Sequence, residues 1–358
     1  MAQIGLDVQA MAGMKSGLGV YITQLISHLK KNDVENKYLL LSENHNRGER
    51  TYNRLIWENV FLPLQASKTR INILHTPAFA APFLKGRWRS VATIHDLIGM
   101  VFPNHLGLIS QWYWGKWLPF VNSRADRIIV DSNCTKQDVI KYLRVSSNKI
   151  RVIYLAASDK FQNRKTNSEI ESVCHKFQIR RPYALFVGNV EPRKNLVRLI
   201  KAFSEVRKTK KIEHQLVIVG FRAWDYPTVK RLTEEHGLTE AVKSLNYIDD
   251  EDLVSLYNGG ELFVYPSLYE GFGMPILEAM KCGLPVLTSN ISSIPEVAGD
   301  AAYYVDPYNE KELEAGLITM LTNRSLREDL RQRGFVQADK FSWELTAKKT
   351  LEVYQELL

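Results

Sequence analysis

Two series of short apolar segments, rich in β-branched residues, constrain the fold of this chain more than any other feature. Stretches with helical spacing of apolar residues separate the segments. Strands that are apolar along their whole length are covered on both faces, so the alternation predicts two parallel, doubly wound α/β sheets in tandem. The first series is IGLDV (4–8), YLLLS (38–42), INILH (71–75), SVATIHD (90–96), RIIVDS (127–132) and IRVIYL (150–155), and the second is YALFVGN (183–189), QLVIVG (215–220), LNYI (245–248), ELFVYPS (261–267), PVLTSN (285–290) and AAYYVD (301–306).

A chain of 358 residues is long enough for two domains, each with its own core. The segment NRKTNSEIES (163–172) has few apolar residues and lies between the two series, so we place the domain boundary there, at 165/166. The last segment has apolar residues at helical spacing and predicts a packed helix. Those residues are Trp343, Leu345, Ala347, Leu351, Tyr354 and Leu358.

The sequence predicts a cytoplasmic protein. No apolar run approaches the roughly 20 residues that span a bilayer. The N-terminal segment MAQIGLDVQAMAGMKSGLG lacks the basic region and apolar region of a secretory signal. Cys134, Cys174 and Cys282 stand alone, with neither disulfide-framework nor metal-ligand spacing. We therefore expect a reducing compartment and no structural metal.

Positive charge is concentrated in the first half. Residues 1–160 contain 21 basic and 11 acidic side chains, whereas residues 161–358 contain 26 and 28. Either the first half meets an anionic partner or it has a generally basic, solvated surface. The segments WYWGKW (112–117) and LKGRWRS (84–90) could contact anionic lipid head groups, together with Lys30, Lys31, Arg47, Arg50 and Arg54. The alternative is that Trp112, Trp114 and Trp117 belong to the core or a groove.

The stretch PSLYEGFGMPILEAMKCGLPVL (266–287) follows a predicted strand and reads as a glycine turn and a helix that begins at Pro275 and ends at Gly283. The amino terminus of such a helix favours phosphate. Carboxylates repel phosphate, so Glu270 and Glu278 are better suited to accept hydrogen bonds from ribose and sugar hydroxyls. The alternative is a surface position for Glu278 and a simple dipole contact for Glu270.

A second loop, EPRKN, follows YALFVGN and precedes the helical pattern NLVRLIKAF. It carries Glu191, Arg193, Lys194 and Asn195. Arg193 and Lys194 could neutralise a pyrophosphate and let the leaving group depart without a metal. A solvated turn before a helix is the alternative.

Three further segments carry weaker signals. Gly13, Gly17 and Gly19 in GMKSGLG permit close approach to a ligand, but their spacing does not match G-x-G-x-x-G. His95, at the end of SVATIHD, could contact a reacting sugar or move a proton, although a histidine bonded to backbone groups is favoured. Asp250-Glu251-Asp252 reads as an acidic helix start and not as a metal site.

Taken together, these residues resemble a retaining glycosyltransferase of the GT-B architecture, in family 4 (glycosyl transferases group 1), and in particular bacterial mannosyltransferases of surface-polysaccharide synthesis. The resemblance covers nearly the whole chain. It rests on GMKSGLGVY, ILHTPAFAAP, TIHDLIGMVFP, ADRIIVDSNCTKQDV, FVGNVEPRKNLVRLIKAF, PSLYEGFGMPILEAMKCGLPV with its E-x7-E spacing, and SSIPEVAGDAAYYVDP.

The resemblance implies two Rossmann-like domains that face a cleft. Residues 1–165, completed by a C-terminal helix in 336–358 that packs back on them, would bind the acceptor. Residues 166–335 would bind the nucleotide sugar. The chain departs from many relatives at Asn189, where they carry arginine, and at Ala156 and Ala157, where glycine is common.

The family also implies roles for individual residues. Glu278 would hold the ribose hydroxyls and Glu270 the transferred sugar. Arg193 and Lys194 would brace the phosphates, Gly17 would approach them from the first domain, and His95 would lie near the reacting carbon. The backbone of Phe272, Gly273, Met274, Pro275 and Ile276 would contact the sugar and the diphosphate.

The implied reaction is metal-independent transfer of a hexose with retention of configuration, and the nucleotide sugar is a substrate, not a cofactor. We expect mannose from GDP-mannose, with a glycan or polyprenyl-diphosphate-linked acceptor at the inner face of the cell membrane. A sugar phosphorylase or glucan synthase of the same superfamily, or a non-catalytic partner of another transferase, stays open. A basic nucleic-acid-binding protein is a further alternative, but the sequence has no recognisable reading motif.

Overall fold

The computed structural model describes residues 1–12, 17–42, 51–103, 106–162, 164–210 and 212–358. The chain divides into two compact units, Met1–Leu155 with Ser342–Leu358, and Ala156–Phe341. The predicted boundaries at 165/166 and 335/336 therefore fall inside the second unit. The polar segment around 166 is the first turn of a helix and not a linker, because Thr166 and Glu169 bond each other's backbone N–H in a capping box.

The N-terminal unit contains one six-stranded parallel sheet with the order β2-β1-β3-β4-β5-β6. Its strands are β1 (Gln3–Asp7), β2 (Lys37–Leu41), β3 (Ile73–Thr76), β4 (Arg89–Ile94), β5 (Arg127–Val130) and β6 (Ile150–Val152). The helices are α1 (Gly17–Asn32), α2 (Thr51–Ile56), α3 (Leu62–Lys68), α4 (Ile98–Val101), α5 (Leu108–Trp112), α6 (Leu118–Ser123), α7 (Asn133–Asp138) and, from the end of the chain, α16 (Trp343–Gln355).

The C-terminal unit contains a second six-stranded parallel sheet. Its strands are β7 (Tyr183–Val187), β8 (Gln215–Val219), β9 (Val242–Leu245), β10 (Leu262–Tyr265), β11 (Val286–Ser289) and β12 (Ala302–Val305). Its helices are α8 (Asn167–Phe177), α9 (Leu196–Lys210), α10 (Tyr226–Glu235), α11 (Asp250–Gly259), α12 (Met274–Lys281), α13 (Ile294–Ala298), α14 (Glu310–Thr322) and α15 (Arg324–Ala338). The order β9-β8-β7-β10-β11-β12 places a topological switch point between β7 and β10.

The two predicted series of strands are confirmed, with one shift. The prediction for LNYI (245–248) is wrong, since β9 covers Val242–Leu245. Val242 and Leu245 are buried in the strand, whereas Tyr247 is exposed and stacks on Phe221, with ring centroids 5.5 Å apart. The aromatic residue that made LNYI resemble a strand belongs to the loop that follows it.

Helix α16 forms where the sequence predicted a packed helix, and it belongs to the N-terminal unit. Its buried face differs from the predicted one, because Leu345 and Leu358 are exposed. The buried face includes Trp343, Thr346, Ala347, Thr350, Val353 and Tyr354. Thr346 and Thr350 were overlooked because they are polar, but their hydroxyls donate to backbone carbonyls at 2.7 and 2.8 Å.

The aromatic segments of the first half are only partly exposed. Trp88 is buried, and Trp114 and Trp117 pack against the core, so the core alternative holds for Trp114 and Trp117. Trp112 is half exposed and stacks on Trp117 at 5.7 Å. Helices α5 and α6 join through a π-helical turn at Tyr113–Trp117. No helix in the described part of the chain is both long and apolar enough to cross a bilayer.

Candidate active site

The loops that follow β7 and β10 are bonded together at the switch point of the C-terminal sheet. The backbone N–H of Leu268 donates to the carbonyl of Arg193 at 2.7 Å. Asn195, whose φ is 62°, donates its amide to the carbonyls of Pro266 (3.1 Å) and Pro307 (2.8 Å). Ligands in open α/β sheets bind at such a point, beyond the carboxyl ends of the strands. The structure therefore brings together the two loops that the sequence analysis selected separately.

The predicted strand, glycine turn and helix are present. Gly273 has a φ of 105° and lies at the N-cap of α12, a conformation that glycine adopts without strain. The helix begins at Met274, one residue before Pro275, and Gly283 follows its end. Phe272 and Ile276 are buried, and the ring of Phe272 packs edge-on against Phe341. The backbone contacts to a ligand that were expected for the segment 272–276 stay a prediction.

Two serines that the sequence analysis missed hold this loop. Ser292 Oγ accepts from Glu270 N–H at 3.0 Å and donates to the Glu270 carbonyl at 2.7 Å. Ser293 Oγ lies within 3.0 Å of the carbonyls of Glu270 and Phe272. The available signal was their position directly after β11, the strand next to β10. Their hydroxyls fix the backbone of the loop from which the Glu270 side chain projects.

Glu270 joins Arg193 and Lys194 in a buried charge cluster. Arg193 Nη1 donates to Glu270 Oε2 at 2.8 Å, and Lys194 Nζ donates to Glu270 Oε1 at 2.7 Å. Arg193 Nε also bonds Glu191 at 3.0 Å, and Lys194 lies over the ring of Tyr265, 4.7 Å from its centroid. The side chains of Glu270 and Lys194 are 9% and 7% exposed. Three of the four predicted catalytic residues thus contact one another directly.

The cluster shifts the pKa values of both buried partners. Burial raises the pKa of Glu270, but the charges of Arg193 and Lys194 outweigh it and bring the pKa to about 2. Burial and the neighbouring Arg193 lower the pKa of Lys194. Glu270 therefore stays ionised at neutral pH and has no proton to donate. Its carboxylate fixes the positions of the two cations that were predicted to face a diphosphate.

Glu278 has the opposite electrostatic character. It lies on α12, partly buried, and its Oε2 accepts from the hydroxyl of Tyr257 at 2.9 Å. Burial raises the pKa of Glu278 to about 7, although the Tyr257 hydrogen bond and Lys160 oppose the shift. Tyr257, on α11, was missed because the segment DDEDLVSLY indicated only an acidic helix start. The two glutamates, eight residues apart, therefore differ in their pKa, which is about 2 for Glu270 and about 7 for Glu278.

His95 lies directly after β4, and its partner Asp131 lies directly after the neighbouring β5. Nδ1 is 2.6 Å from Asp131 Oδ2, and Nε2 is 3.1 Å from the carbonyl of Pro77. A carboxylate and a carbonyl oxygen both accept hydrogen bonds, so this geometry favours the doubly protonated ring, although burial also raises the pKa of Asp131. Burial lowers the pKa of His95, but Asp131 outweighs it and the pKa is raised. A ring held in this way is better suited to supply a fixed positive charge than to move a proton.

Asp131 was missed, although its place at the end of RIIVDS was a usable signal. Gly17, the other predicted site residue of the first half, begins α1 and is exposed. His95 and Gly17 belong to the N-terminal unit, and the other predicted site residues belong to the C-terminal unit. Gly13 lies outside the described residues.

A further ionic cluster lies at the switch point of the N-terminal sheet, between β1 and β3. Arg54 Nε donates to the buried Glu58 at 2.6 Å, and its guanidinium bonds the carbonyl of Ala78 and lies 5.3 Å from the Phe79 ring centroid. The predicted lipid contact of Arg54 stays a prediction, although Glu58 compensates the charge of Arg54. The corresponding predictions for Arg47 and Arg50 lie outside the described residues.

The acidic run at 250–252 is the first turn of α11, as expected. Asp249 caps the helix by accepting from Asp252 N–H at 2.9 Å. Asp250 and Asp252 form ion pairs with Lys160 (2.7 Å) and Lys176 (2.5 Å). Among the described residues, no group of three His, Cys, Asp or Glu side chains could hold a metal ion.

Comparisons with known proteins give matches in both halves of the chain. The profile described as Glycosyl transferases group 1 matches residues 169–337, and the profile described as Glycosyltransferase Family 4 matches residues 15–158. The chain is 35% identical over 286 residues to O-antigen chain mannosyltransferase B of Escherichia coli, which covers 80% of this chain and 74% of that protein. The chain belongs to glycosyltransferase family 4.

This family 4 member is also similar to a second mannosyltransferase and to a solved glycosyltransferase structure. It is 32% identical over 277 residues to serotype-specific mannosyltransferase WbdA of Escherichia coli. The aligned region covers 76% of this chain but only 34% of that relative. A glycosyltransferase from Rickettsia africae superimposes with a TM-score of 0.75 at 18% identity, with 99% and 98% of the two chains covered. The fold is GT-B, as the sequence analysis expected.

Proposed function

We propose that this glycosyltransferase transfers mannose from GDP-mannose, with retention of configuration, to a glycan or polyprenyl-diphosphate-linked acceptor of a bacterial surface polysaccharide. The observation that carries the proposal is the 35% identity with an O-antigen chain mannosyltransferase over 80% of the chain. The ionic groups at the switch point of the C-terminal sheet support a nucleotide-sugar donor site there.

In the proposed donor site, Glu278 accepts hydrogen bonds from the ribose hydroxyls. The amino terminus of α12 faces the diphosphate, since a helix start favours anions. Arg193 and Lys194 provide the positive charge, and Glu270 keeps both of them in place. Donor binding would add negative charge to a cluster in which the charges of Glu191, Arg193, Lys194 and Glu270 are balanced.

The proposed chemistry depends on leaving-group stabilisation. As the bond between the sugar and the diphosphate breaks, negative charge grows on the diphosphate, and prepositioned cations stabilise it without reorganisation. Glu270, whose pKa is about 2, is not a proton donor for this step. We further propose that no metal is needed, which is tested by an unchanged rate after treatment with a chelator. Retention is tested by the anomeric configuration of the first product.

The donor proposal is tested by thermal unfolding of the pure protein with GDP, UDP, ADP and dTDP and their common sugars, without added metal. We expect GDP-mannose to raise the melting temperature most, because a ligand that binds only the folded state stabilises it. Glu278→Ala should reduce that shift. The matched control is Glu235→Ala, which removes an exposed glutamate from the same unit. Equal shifts for Glu278→Ala and wild type would contradict the role of Glu278.

The same titration at two pH values tests the protonation of Glu278. A carboxylate accepts hydrogen bonds from ribose hydroxyls better than a carboxylic acid does. Glu278, whose pKa is about 7, holds a proton below that pH, and donor binding should release it. Donor affinity should therefore rise by up to about tenfold from pH 6 to pH 8. Glu278→Ala should lack this rise.

We also propose peripheral contact with an anionic membrane at the cytoplasmic face. A group of apolar side chains on and after α5, Leu108, Ile109, Trp112 and Phe120, is 84%, 66%, 50% and 47% exposed. Exposed Lys116 and Arg124 lie along the same helical segment, and such residues each contribute about 1 kcal/mol near anionic lipid. Amphipathic segments of this kind lie at the lipid interface.

Liposome flotation tests this surface. Wild type should float with vesicles that contain anionic lipid, and Trp112→Ala/Phe120→Ala should float much less. Trp224→Ala, which removes an exposed tryptophan from the C-terminal unit, is the matched control. Recovery that does not depend on anionic lipid would overturn the proposal.

A further inference from the structure

A cavity of about 580 Å³ lies at the opposite edge of the C-terminal sheet from the proposed donor site. Pro182, Glu261 and Pro285 line it, and each of them immediately precedes a strand, β7, β10 or β11. In a parallel sheet all amino ends lie at one edge and all carboxyl ends at the other. The cavity is therefore separate from the loops that carry Arg193 and Glu270. Its volume is in the range of small-molecule sites.

Guanidinium groups dominate the lining. The cavity contains four arginines, Arg181, Arg324, Arg327 and Arg331, and two glutamates, Glu261 and Glu328. Three of the arginines come from α15, at positions 324, 327 and 331. Because residues three or four apart share one face of a helix, these three side chains lie along a single face.

The acidic residues neutralise this face only in part. Glu261 accepts from Arg327, and its other oxygen is 3.1 Å from His214 Nε2. Glu328 and Arg331 form an exposed pair at 3.5 Å. Arg181 forms an ion pair with Glu171, which does not line the cavity. Arg324 has no acidic partner in the part of the chain that the structure describes.

Arg324 is also the first residue of α15, so the helix dipole adds to its charge. Planar guanidinium groups donate paired hydrogen bonds to phosphate oxygens, and arginine is favoured at sites that recognise phosphate. With Glu171 included, four basic and three acidic groups leave one excess positive charge, at Arg324, and the exposed 3.5 Å pair of Arg331 with Glu328 leaves Arg331 accessible to a second phosphate oxygen. The volume exceeds that of the anion alone and accommodates the group to which the phosphate is attached.

We propose that this cavity binds a small phosphorylated compound, a phosphate ester of sugar size, at a site separate from the donor site. The phosphate lies against the arginine face of α15, and the remainder of the molecule lies toward Pro182, Gly260 and Pro285. The proposal does not depend on the identity of the donor sugar.

Isothermal calorimetry with inorganic pyrophosphate and with a hexose 1-phosphate tests the site. Arg324→Ala/Arg331→Ala should weaken binding of both probes at this site at least tenfold. The matched control, Arg231→Ala/Arg333→Ala, removes two exposed arginines from the same unit, each of which forms an ion pair with a glutamate or aspartate four residues away. The control should bind as wild type does. All four arginines are exposed, so both double variants should fold, and circular dichroism checks this.

Arg193→Ala separates the cavity from the donor site. Binding that survives in Arg193→Ala and is weakened in Arg324→Ala/Arg331→Ala supports the proposal. It is overturned if Arg324→Ala/Arg331→Ala binds both probes as tightly as wild type does, or if Arg193→Ala alone abolishes all binding. Pyrophosphate binding without hexose 1-phosphate binding would overturn the assignment of a phosphate ester.

Discussion

Glu270→Gln is expected to lower the free energy of unfolding by about 3–5 kcal/mol, because it leaves the buried Lys194 without its counter-charge. It should also reduce kcat/KM at least about 100-fold, since Arg193 and Lys194 lose the carboxylate that positions them. Urea unfolding and initial rates measure the two effects. Loss of stability without loss of activity would contradict the positioning role of Glu270.

Acid unfolding gives an independent check on this variant. The folded-state pKa of Glu270 is depressed to about 2, so its carboxylate stabilises the protein above the ordinary pKa of about 4.5, and that contribution is lost as pH falls toward 2. Glu270→Gln should lack this part of the pH dependence. In the wild type, the ion pair of Glu270 with Lys194 should therefore still stabilise the fold at pH 5, and this stabilisation should be largely lost at pH 2.

Two further variants test whether the cluster acts as a unit. Lys194→Met combined with Glu270→Gln should be less destabilising than the sum of the single changes, since the buried charge and its partner are removed together. Glu191→Gln is the matched control, because Glu191 is more exposed and bonds Arg193 at the edge of the cluster. We expect that control to cost no more than about 1 kcal/mol. Additive losses in the double variant would show that Lys194 and Glu270 do not depend on each other.

Tyr354→Ala is expected to lower the free energy of unfolding of the N-terminal unit by about 3–5 kcal/mol. Tyr354 is fully buried on α16, and its hydroxyl lies 2.7 Å from Nδ1 of the buried His75. Burial lowers the pKa of His75 to about 3, so this histidine is neutral and needs a neutral partner. Hydrogen exchange should show the loss of protection in residues 1–155 and not in the C-terminal sheet.

Tyr354→Phe isolates the hydrogen bond from the packing. It keeps the ring and leaves His75 Nδ1 without its partner, whereas Nε2 keeps its bond with Thr93, so a loss of about 1–3 kcal/mol is expected. Leu345→Ala, on the exposed face of the same helix, is the control and should change stability little. If Tyr354→Ala were no more destabilising than Leu345→Ala, α16 would not be part of the core of the N-terminal unit.

The sequence predicted the elements that depend on local patterns. Apolar runs located the strands because a strand covered on both faces is apolar throughout, and the glycine turn before α12 was recognisable because Gly273 has a φ that other residues avoid. Prediction from the sequence failed where polar residues belong to a helix or to a buried face. Thr166 and Asn167 look like a linker but begin α8, and Thr346 and Thr350 are polar but buried.

Contacts between loops could not be predicted in the same way. Glu270 was assigned to sugar hydroxyls and Arg193 to phosphates, yet they are bonded to each other across 77 residues of sequence. Their contact depends on the placement of β7 beside β10, which spacing along the chain does not specify. The same reason applies to Asp131 and Tyr257, each of which reaches its partner from a neighbouring element.

Helix α16 has a consequence for synthesis on the ribosome. The residues of α16 contact Tyr21 of α1 through Trp343 and the carbonyl of Tyr154 through Thr346, and Glu356, directly after the helix, accepts from Arg127 and Arg151. They leave the exit tunnel only after all of Ala156–Phe341 has been made. Although nascent domains generally fold from the amino terminus onward, residues 1–155 lack these contacts until α16 has been made. We therefore expect the C-terminal unit to be able to complete its core before the N-terminal unit does.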